Sequence, residues 1–406
     1  MIVMKIRRFN KKMILGISLP VFIMGLVSFF TDISSETIQS ILPLFIFEIG
    51  GTGLILGLIS GVSDAIANIL KGITGWLSDK INKRKPFVVL GYSISNLSKP
   101  FIGFSPSWEF VLGLKATDRV GKGLRTSSRD ALISYYAVKK GKAFGLHRAM
   151  DTLGAVLGSF IAVILLFLNW SFSSIIFFTI FPGIIAIILI LFIKDVSTAK
   201  DKANSYVKKD TYNKIDKTFI KLIIILGVIE FASLDISFLI IRAADFIPID
   251  LIFLIPLLYA ILNIIYAVFS PITGSLSDTI GRKPVILIGL ALLLTSCLIL
   301  ALPITISIFS LVMITMIYLF YGFYMASVDP ISRAYIADLT GKEKRGRAYG
   351  YYYFSVGFIS MIESVIFGLI YDIFSPFWAF LYISVLLCLC MIIFAFTDFS
   401  KITKKD

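Results

Sequence analysis

The stretch GWLSDKINKRKP occupies residues 75–86, and GSLSDTIGRKP occupies residues 274–284. Each follows a long apolar run, and Asp79 and Asp278 stand 199 residues apart. Three further pairs keep nearly the same spacing. FTDIS (30–34) matches SLDIS (233–237), Arg129 of SSRDALIS matches Arg333 of ISRAYIA, and AFG (143–145) matches AYG (348–350), at offsets of 203, 204 and 205. Four correspondences in chain order at almost one offset mark a chain built as two similar halves.

The composition around these copies sets the surroundings. Of 406 residues, 57% are apolar and 16% are charged, and the mean hydropathy is +0.91. A membrane-spanning helix needs roughly 20 mostly apolar residues, so twelve would use roughly 240. That is close to all the apolar residues present. A soluble enzyme, a nucleic-acid-binding module and a disordered chain are excluded, leaving an all-α polytopic membrane protein. Apolar runs stand at 14–47, 53–78, 86–104, 108–136, 143–168, 172–193, 218–246, 250–277, 285–303, 306–338, 346–371 and 376–397. The long polar stretch DVSTAKDKANSYVKKDTYNKIDK (195–217) divides them six and six. The expected organisation is a six-helix bundle over 1–194, a basic linker over 195–217 and a second six-helix bundle over 218–406. The basic, then apolar start is read as a retained first helix, because the apolar stretch runs on without a small-residue cleavage site.

The net charge of +14 is distributed by side. Lys and Arg gather before run one, after runs two, four, eight, ten and twelve, and in the linker, whereas the intervening loops EIGGTG, FSPSW, NWSFS, LPIT and DIFSP have neither. Arg242 is the exception on that side. Basic loops stay in the cytoplasm. The expectation is a multi-pass protein of the cell membrane with both termini and the linker cytoplasmic, the basic excess being an orientation signal and not a nucleic-acid footprint. Cys297, Cys388 and Cys390 lie inside apolar runs and suggest neither a disulfide framework nor a metal cluster.

At this point the residues resemble the major facilitator superfamily, whose loop motif G-x-L-a-D-r-x-G-r-k stands between spans two and three, with a weaker copy between spans eight and nine. The first copy is Gly75, Leu77, Asp79, Lys80, Lys83 and Arg84, with Asn82 in place of glycine. The second is Gly274, Leu276, Asp278, Gly281, Arg282 and Lys283. The resemblance implies two bundles that rock about a central site, and a loop cluster that latches the cytoplasmic side. Gly75 suits close helix approach, and Asp79 suits a neighbouring helix N-terminus. DISSE (32–36), DRVGKGLRTSSRD (118–130) and FGLHRAMDTLGAVLG (144–158) resemble, more narrowly, a group of archaeal and bacterial permeases of this type without an assigned cargo. Antiporters of the family carry G-x-x-x-G-P-x-x-G-G in span five. Here Ser159 replaces the proline, a departure from the exporter pattern.

Ionisable residues at membrane depth are costly and therefore functional candidates. Asp32, Ser35, Glu36 and Gln39 share one helix face of span one. Two carboxylates one turn apart in a low-dielectric cavity do not easily both ionise, so one can take up and release a proton. The face fits a proton or cation site. It equally fits helix–helix hydrogen bonding to a basic partner on span four. Span four is the most charged: Lys115, Arg119 and Lys122 share one face, and Asp118, Lys122, Arg125 and Arg129 the adjacent one. Arg119 with Gly123 resembles the family's fourth-span motif linked to proton coupling, Lys122 replacing its glutamine. The cation excess suits an anionic solute, carboxylates of neighbouring spans or a structural salt-bridge network. Span two adds Ser60, Asp64, Asn68, Lys71 and Gly75 along one face; the second half adds Glu230, Asp235, Asp329, Arg333 and Glu363 with Tyr259, Asn263, Tyr266, Tyr321 and Tyr324. His147 suits a structural hydrogen bond beside Arg148 and Asp151 better than a proton relay.

The expected function is secondary active transport of a small solute by alternating access, proton-coupled, with an anionic or zwitterionic cargo. Asp32, Glu36 and Arg119 are the expected coupling residues. Asp64, Asn68, Lys115, Asp118, Lys122, Asp235, Asn263, Tyr324 and Glu363 are expected around the substrate. Gly75, Asp79, Arg84, Arg129, Asp130, Arg148, Asp151, Gly274, Asp278, Arg282 and Arg333 form the expected cytoplasmic gate. No cofactor or resident metal is implied, and without a G-x-x-x-x-G-K-[ST] run for a nucleotide the expected driving force is the proton gradient. The expected partners are the solute, protons and the lipid bilayer, with the chain acting as a monomer. A drug, metabolite or divalent-metal exporter is the alternative of the same fold. A membrane-embedded enzyme, disfavoured by one histidine and no reactive-cysteine context, or a non-transporting sensor would be alternatives of another class.

Overall fold

A computed structural model describes residues 13–14, 17–81, 83–137, 139–195, 217–303, 305–339 and 345–397. The basic residues of both ends, most of the linker, and Lys342 and Lys344 lie outside these. So does Asn82, and the side chains at Gly75, Asp79, Arg345 and Arg347 are likewise not described.

Two two-residue strands, β1 Met13–Ile14 and β2 Ile17–Ser18, pair antiparallel. The remaining elements are helical. In chain order they are α1 Leu19–Gln39, α2 Leu42–Glu48, α3 Gly53–Ile81, α4 Lys85–Phe101, α5 Trp108–Tyr136, α6 Lys140–Phe167, α7 Phe172–Phe178 and α8 Ile180–Leu191. They continue as α9 Lys217–Phe231, α10 Ile236–Ala244, α11 Leu254–Ile280, α12 Arg282–Ala301, α13 Ile308–Leu339, α14 Arg345–Ile373 and α15 Pro376–Phe396. Ten spans among the described residues are long and apolar enough to cross a membrane. Two of the twelve expected runs fall short of that measure. The helix α4 has 17 residues, and α5 carries the charges of span four. Large apolar side chains such as Phe167, Phe181, Phe192, Ile308 and Phe396 stand exposed, as lipid contact requires and water forbids.

Three expected runs are interrupted. The first begins at Leu19, with Pro20 in its opening turn, not at 14. It breaks after Gln39 because Pro43 has no N–H for the Gln39 carbonyl and its ring crowds that oxygen. Pro182 acts in the same way on Phe178 and separates α7 from α8. The third break, at residues 232–235, has no proline. Ser233 turns its hydroxyl back to the Glu230 carbonyl at 2.7 Å, and Asp235 caps α10 by accepting from the Ser237 N–H at 2.7 Å. Short polar side chains that bond their own backbone compete with helix continuation.

The chain divides into two compact units, Met1–Phe45 with Ile66–Thr211, and Ile46–Ala65 with Tyr212–Asp406. These differ from the expected halves by one excursion: the start of α3 belongs with the second unit. Glycine explains the packing. A Cβ on Gly57 would overlap the Ser364 carbonyl, and one on Gly61 would lie 2.7 Å from Met361 Cα, so only glycine lets α3 lie this close to α14. Asp372 completes the join, accepting from the Gly53 and Leu54 N–H groups at 2.7 Å each, as a cap for the first turn of α3.

Within the first unit α1 packs on α6, α4 on α5, and α8 on both α1 and α4. Gly158 meets Ile33 there: an added Cβ would lie 2.5 Å from the Ile33 carbonyl, and the Thr37 hydroxyl donates to Gly158 O at 2.8 Å. Within the second unit α11, α12 and α13 pack together, with α15 on α12 and α14 on α9.

Candidate functional site

In the first unit the charged faces of spans one and four meet. The Lys115 ammonium, 6% exposed, donates to Gln39 Oε1 at 3.0 Å. Asp118, equally buried, accepts from the Ser95 hydroxyl at 2.5 Å and lies 3.9 Å from the Arg119 guanidinium. Asp32 is half-buried, and the charged groups acting on it are Asp151, Glu36, Lys122 and Arg125. Its face of α1 therefore looks onto α5 and α6, where a carboxylate meets charges of both signs. Arg125 is buried with its guanidinium 4.5 Å from the centre of the Tyr92 ring.

Lys99 was not among the expected site residues. It is 2% exposed, donates to Ser35 Oγ at 2.9 Å and to the Thr31 carbonyl at 3.4 Å, and has Asp118 and Asp32 within electrostatic range. A lysine near the end of run three reads as an interface anchor. Its ammonium is held against α1 by Thr31 and Ser35, and the only signal for it in the sequence is a charge in an otherwise uncharged run. Asn68 accepts from Lys71 at 2.9 Å, within α3.

Nearer the ends of the helices, Arg129 makes a 2.9 Å pair with Asp130 and donates to Ser28 at 3.4 Å. Asp151 lies 3.5 Å from His147 Nδ1, which gives the histidine a structural partner. Arg148 is exposed. Arg84 donates to the Ala131 carbonyl at 3.3 Å, and its backbone N–H donates to Asp195 at the same distance.

The second unit gathers carboxylates. Asp235 accepts from Ser60 at 3.4 Å in addition to capping α10. Glu363 is 1% exposed and accepts from Ser364 at 3.2 Å. The charged groups acting on Glu230 are Asp329, Asp64 and Asp235, and those acting on Glu363 are Asp235 and Glu230. Asp64, expected with the first half's charges, belongs to this unit and is exposed. Buried Tyr321 stands in range of Asp235 and Asp329, and buried Tyr324 in range of Glu230 and Asp329, their rings 5.5 Å apart and edge to face. Asn263 bonds the Tyr259 carbonyl of its own helix at 3.1 Å. In the second loop copy Arg282 pairs with Asp278 at 2.5 Å and with Asp338 at 2.9 Å. Gly281, with φ of 95° and ψ of 157°, separates α11 from α12 in a backbone region essentially reserved for glycine. A Cβ on Gly274 would meet nothing within 4 Å, and Arg333, exposed, donates to the Asp329 carbonyl at 3.1 Å. No group of three His, Cys, Asp or Glu residues among those described is placed to hold a metal ion.

A duplicated helical membrane chain with ionic groups buried inside each unit defines a polytopic transporter fold. The family model of the Major Facilitator Superfamily matches residues 24–263 and 251–405, and the chain belongs to that superfamily. It is 37% identical over 376 residues to an uncharacterised MFS-type transporter of Methanocaldococcus jannaschii, covering 91% of this chain and 92% of that one. An uncharacterised protein of Mycobacterium tuberculosis is 30% identical over 140 residues, about a third of either chain (34% of each). Among solved structures, the nucleoside transporter NupG aligns over 96% of this chain and 100% of its own, with a TM-score of 0.77 and 14% identity. A POT family transporter in complex with 5-aminolevulinic acid aligns over 96% and 98%, with a TM-score of 0.78 and 12% identity. At such identities the likeness is one of fold. The chain is thus a multi-pass membrane protein of a transporter family and not an enzyme.

Proposed function

We propose that the protein is a proton-coupled secondary transporter of a small anionic or zwitterionic solute, working by alternating access as a monomer in the cell membrane with cytoplasmic termini. The observation that carries the reading is the first unit's buried network, in which Asp32 stands among Glu36, Lys122, Arg125 and Asp151 while Lys99 and Lys115 donate to Ser35 and Gln39 with Asp118 in electrostatic range of both. A carboxylate in such surroundings changes its charge at low cost when a neighbouring cation is engaged elsewhere. A solute carboxylate is such a competitor. It draws Lys99, Lys115 or Lys122 toward itself, and a proton on Asp32 or Glu36 then restores neutrality. Arg119, paired with Asp118, tunes this balance. The Asp79 and Asp278 loops, with Arg84, Arg129, Asp130, Arg148, Asp151, Arg282 and Arg333, control closure on the cytoplasmic side.

Purified protein in liposomes loaded with a pH-sensitive dye tests this. A panel of amino acids and small carboxylates is applied under an imposed pH gradient, and at least one should drive solute-dependent proton movement. Solute movement indifferent to the gradient would remove the proton from the mechanism. Ligand binding with no movement of any solute would favour a sensor.

A further inference from the structure

We propose that the second unit binds an organic ammonium group at the break in span seven, between Glu230, Asp235 and Glu363 and against the rings of Tyr321 and Tyr324. The inference rests on the transporter reading and names one end of its cargo.

The three carboxylates share one neighbourhood: Asp235 and Glu230 act on Glu363, and Asp235 acts on Glu230. Among the described residues none of the three is ion-paired. Glu363 is 1% exposed, and its Oε1 has no hydrogen-bond partner among those residues. Leaving an ionised carboxylate buried without a counter-charge costs several kcal/mol, so the arrangement calls for a positive occupant. The break supplies more of the same polarity. The C-terminal end of α9 is the negative end of its helix dipole, whereas the positive end of α10 is already occupied by the Asp235 cap. Interrupted membrane helices present such ends and unwound carbonyls to cations.

The type of cation follows from spacing and walls. A metal ion needs several oxygens within about 2.0–2.6 Å of one centre, and no three acidic residues among those described are so placed. An ammonium donates along N–H bonds of about 2.7–3.2 Å and carries carbon behind it, so it bridges carboxylates that cannot share a metal. Its apolar side and diffuse charge suit aromatic faces. Tyr321 is fixed by donating to the Leu234 carbonyl inside the break at 2.6 Å, and Tyr324, 7% exposed, stands next to it. A proton neutralises one carboxyl group at a time, whereas a single ammonium can be shared by several.

The test is thermal unfolding of the full-length protein in detergent, titrated with propylammonium chloride, and with sodium chloride and sodium propionate at matched ionic strength. Propylammonium should raise the midpoint saturably and the sodium salts should not. Glu363→Gln and Glu230→Gln should each weaken the apparent affinity roughly tenfold or more, the scale of one lost charge-assisted contact. Either variant suffices if the other fails to fold. The absence of a saturable shift, an equal shift with sodium, or unchanged affinity in a folded variant would overturn the proposal. The assay does not require transport. Ammonium binding without flux would sink the transporter reading alone, and proton-coupled flux without ammonium binding would sink the ammonium site alone.

Discussion

FTDIS in span one and SLDIS in span seven are copies of one sequence, yet they fold differently. Around Asp32 the helix runs unbroken from Leu19 to Gln39. Around Asp235 it stops at Phe231 and restarts at Ile236. The first aspartate has the acidic Asp151 and Glu36 within electrostatic range, and with them the cations Lys122 and Arg125 of α5. The second has the acidic Asp64 acting on it and no cation among the groups that do, and it accepts from the Ser237 N–H of a new helix. A buried carboxylate needs positive polarity from somewhere. In the first copy span four supplies cations and the backbone stays helical; in the second the helix opens and the Ser237 amide of its restart faces the carboxylate. Duplication preserved the residue and let each copy find a different counter-charge.

The largest expected effect separates the two copies by function. Asp32→Asn should reduce solute-dependent proton movement in liposomes to the passive leak while leaving propylammonium stabilisation intact. Coupled flux at the original level would remove Asp32 from the coupling. Next comes Lys99→Met, which takes the cation away from Ser35 and from the surroundings of Asp118. Removing one partner from a buried charge network costs about 3–5 kcal/mol, so the unfolding midpoint in detergent should fall sharply; a shift within error would mean that Asp118 is served by Lys115 and Arg119 alone. Gly281→Ala puts a side chain on a backbone of glycine-only geometry and should cost about 1–3 kcal/mol, read in the same unfolding assay. The smallest effect distinguishes the caps. Asp235→Ala should cost about 0.5–2 kcal/mol, and Asp235→Asn, which retains a capping oxygen, clearly less; equal losses would show that the charge of Asp235, and not its cap, holds the break.

Much of this was legible in the sequence. Hydropathy places the helical runs of the described residues, though not their interruptions, and the repeated motifs mark the two halves. The breaks at Pro43 and Pro182 were partly written in the chain, since proline in an apolar run can stop a helix, although Pro271 and Pro330 lie inside unbroken ones. The break before Asp235 was not, because Ser233 and Asp235 cap a helix only when the surroundings offer no better partner. Lys99 escaped for a related reason: a single lysine near a run's end is ambiguous until the packing of α4 buries it. Asp64 was seen as a face-sharing residue of span two, but its grouping with the second unit depends on Gly57 and Gly61 meeting α14, a contact between residues some 300 positions apart that no local pattern encodes.

The cap on the first turn of α3 bears on the order of synthesis. Asp372 reaches Gly53 across 319 positions of chain, so that turn waits for its acceptor until residue 372 has been made. The nascent amino-terminal portion therefore reaches the bilayer with the first turn of α3 uncapped. A fragment ending in the linker should be a ready client for insertion chaperones and membrane proteases, and supplying the carboxy-terminal portion as a separate chain should rescue it.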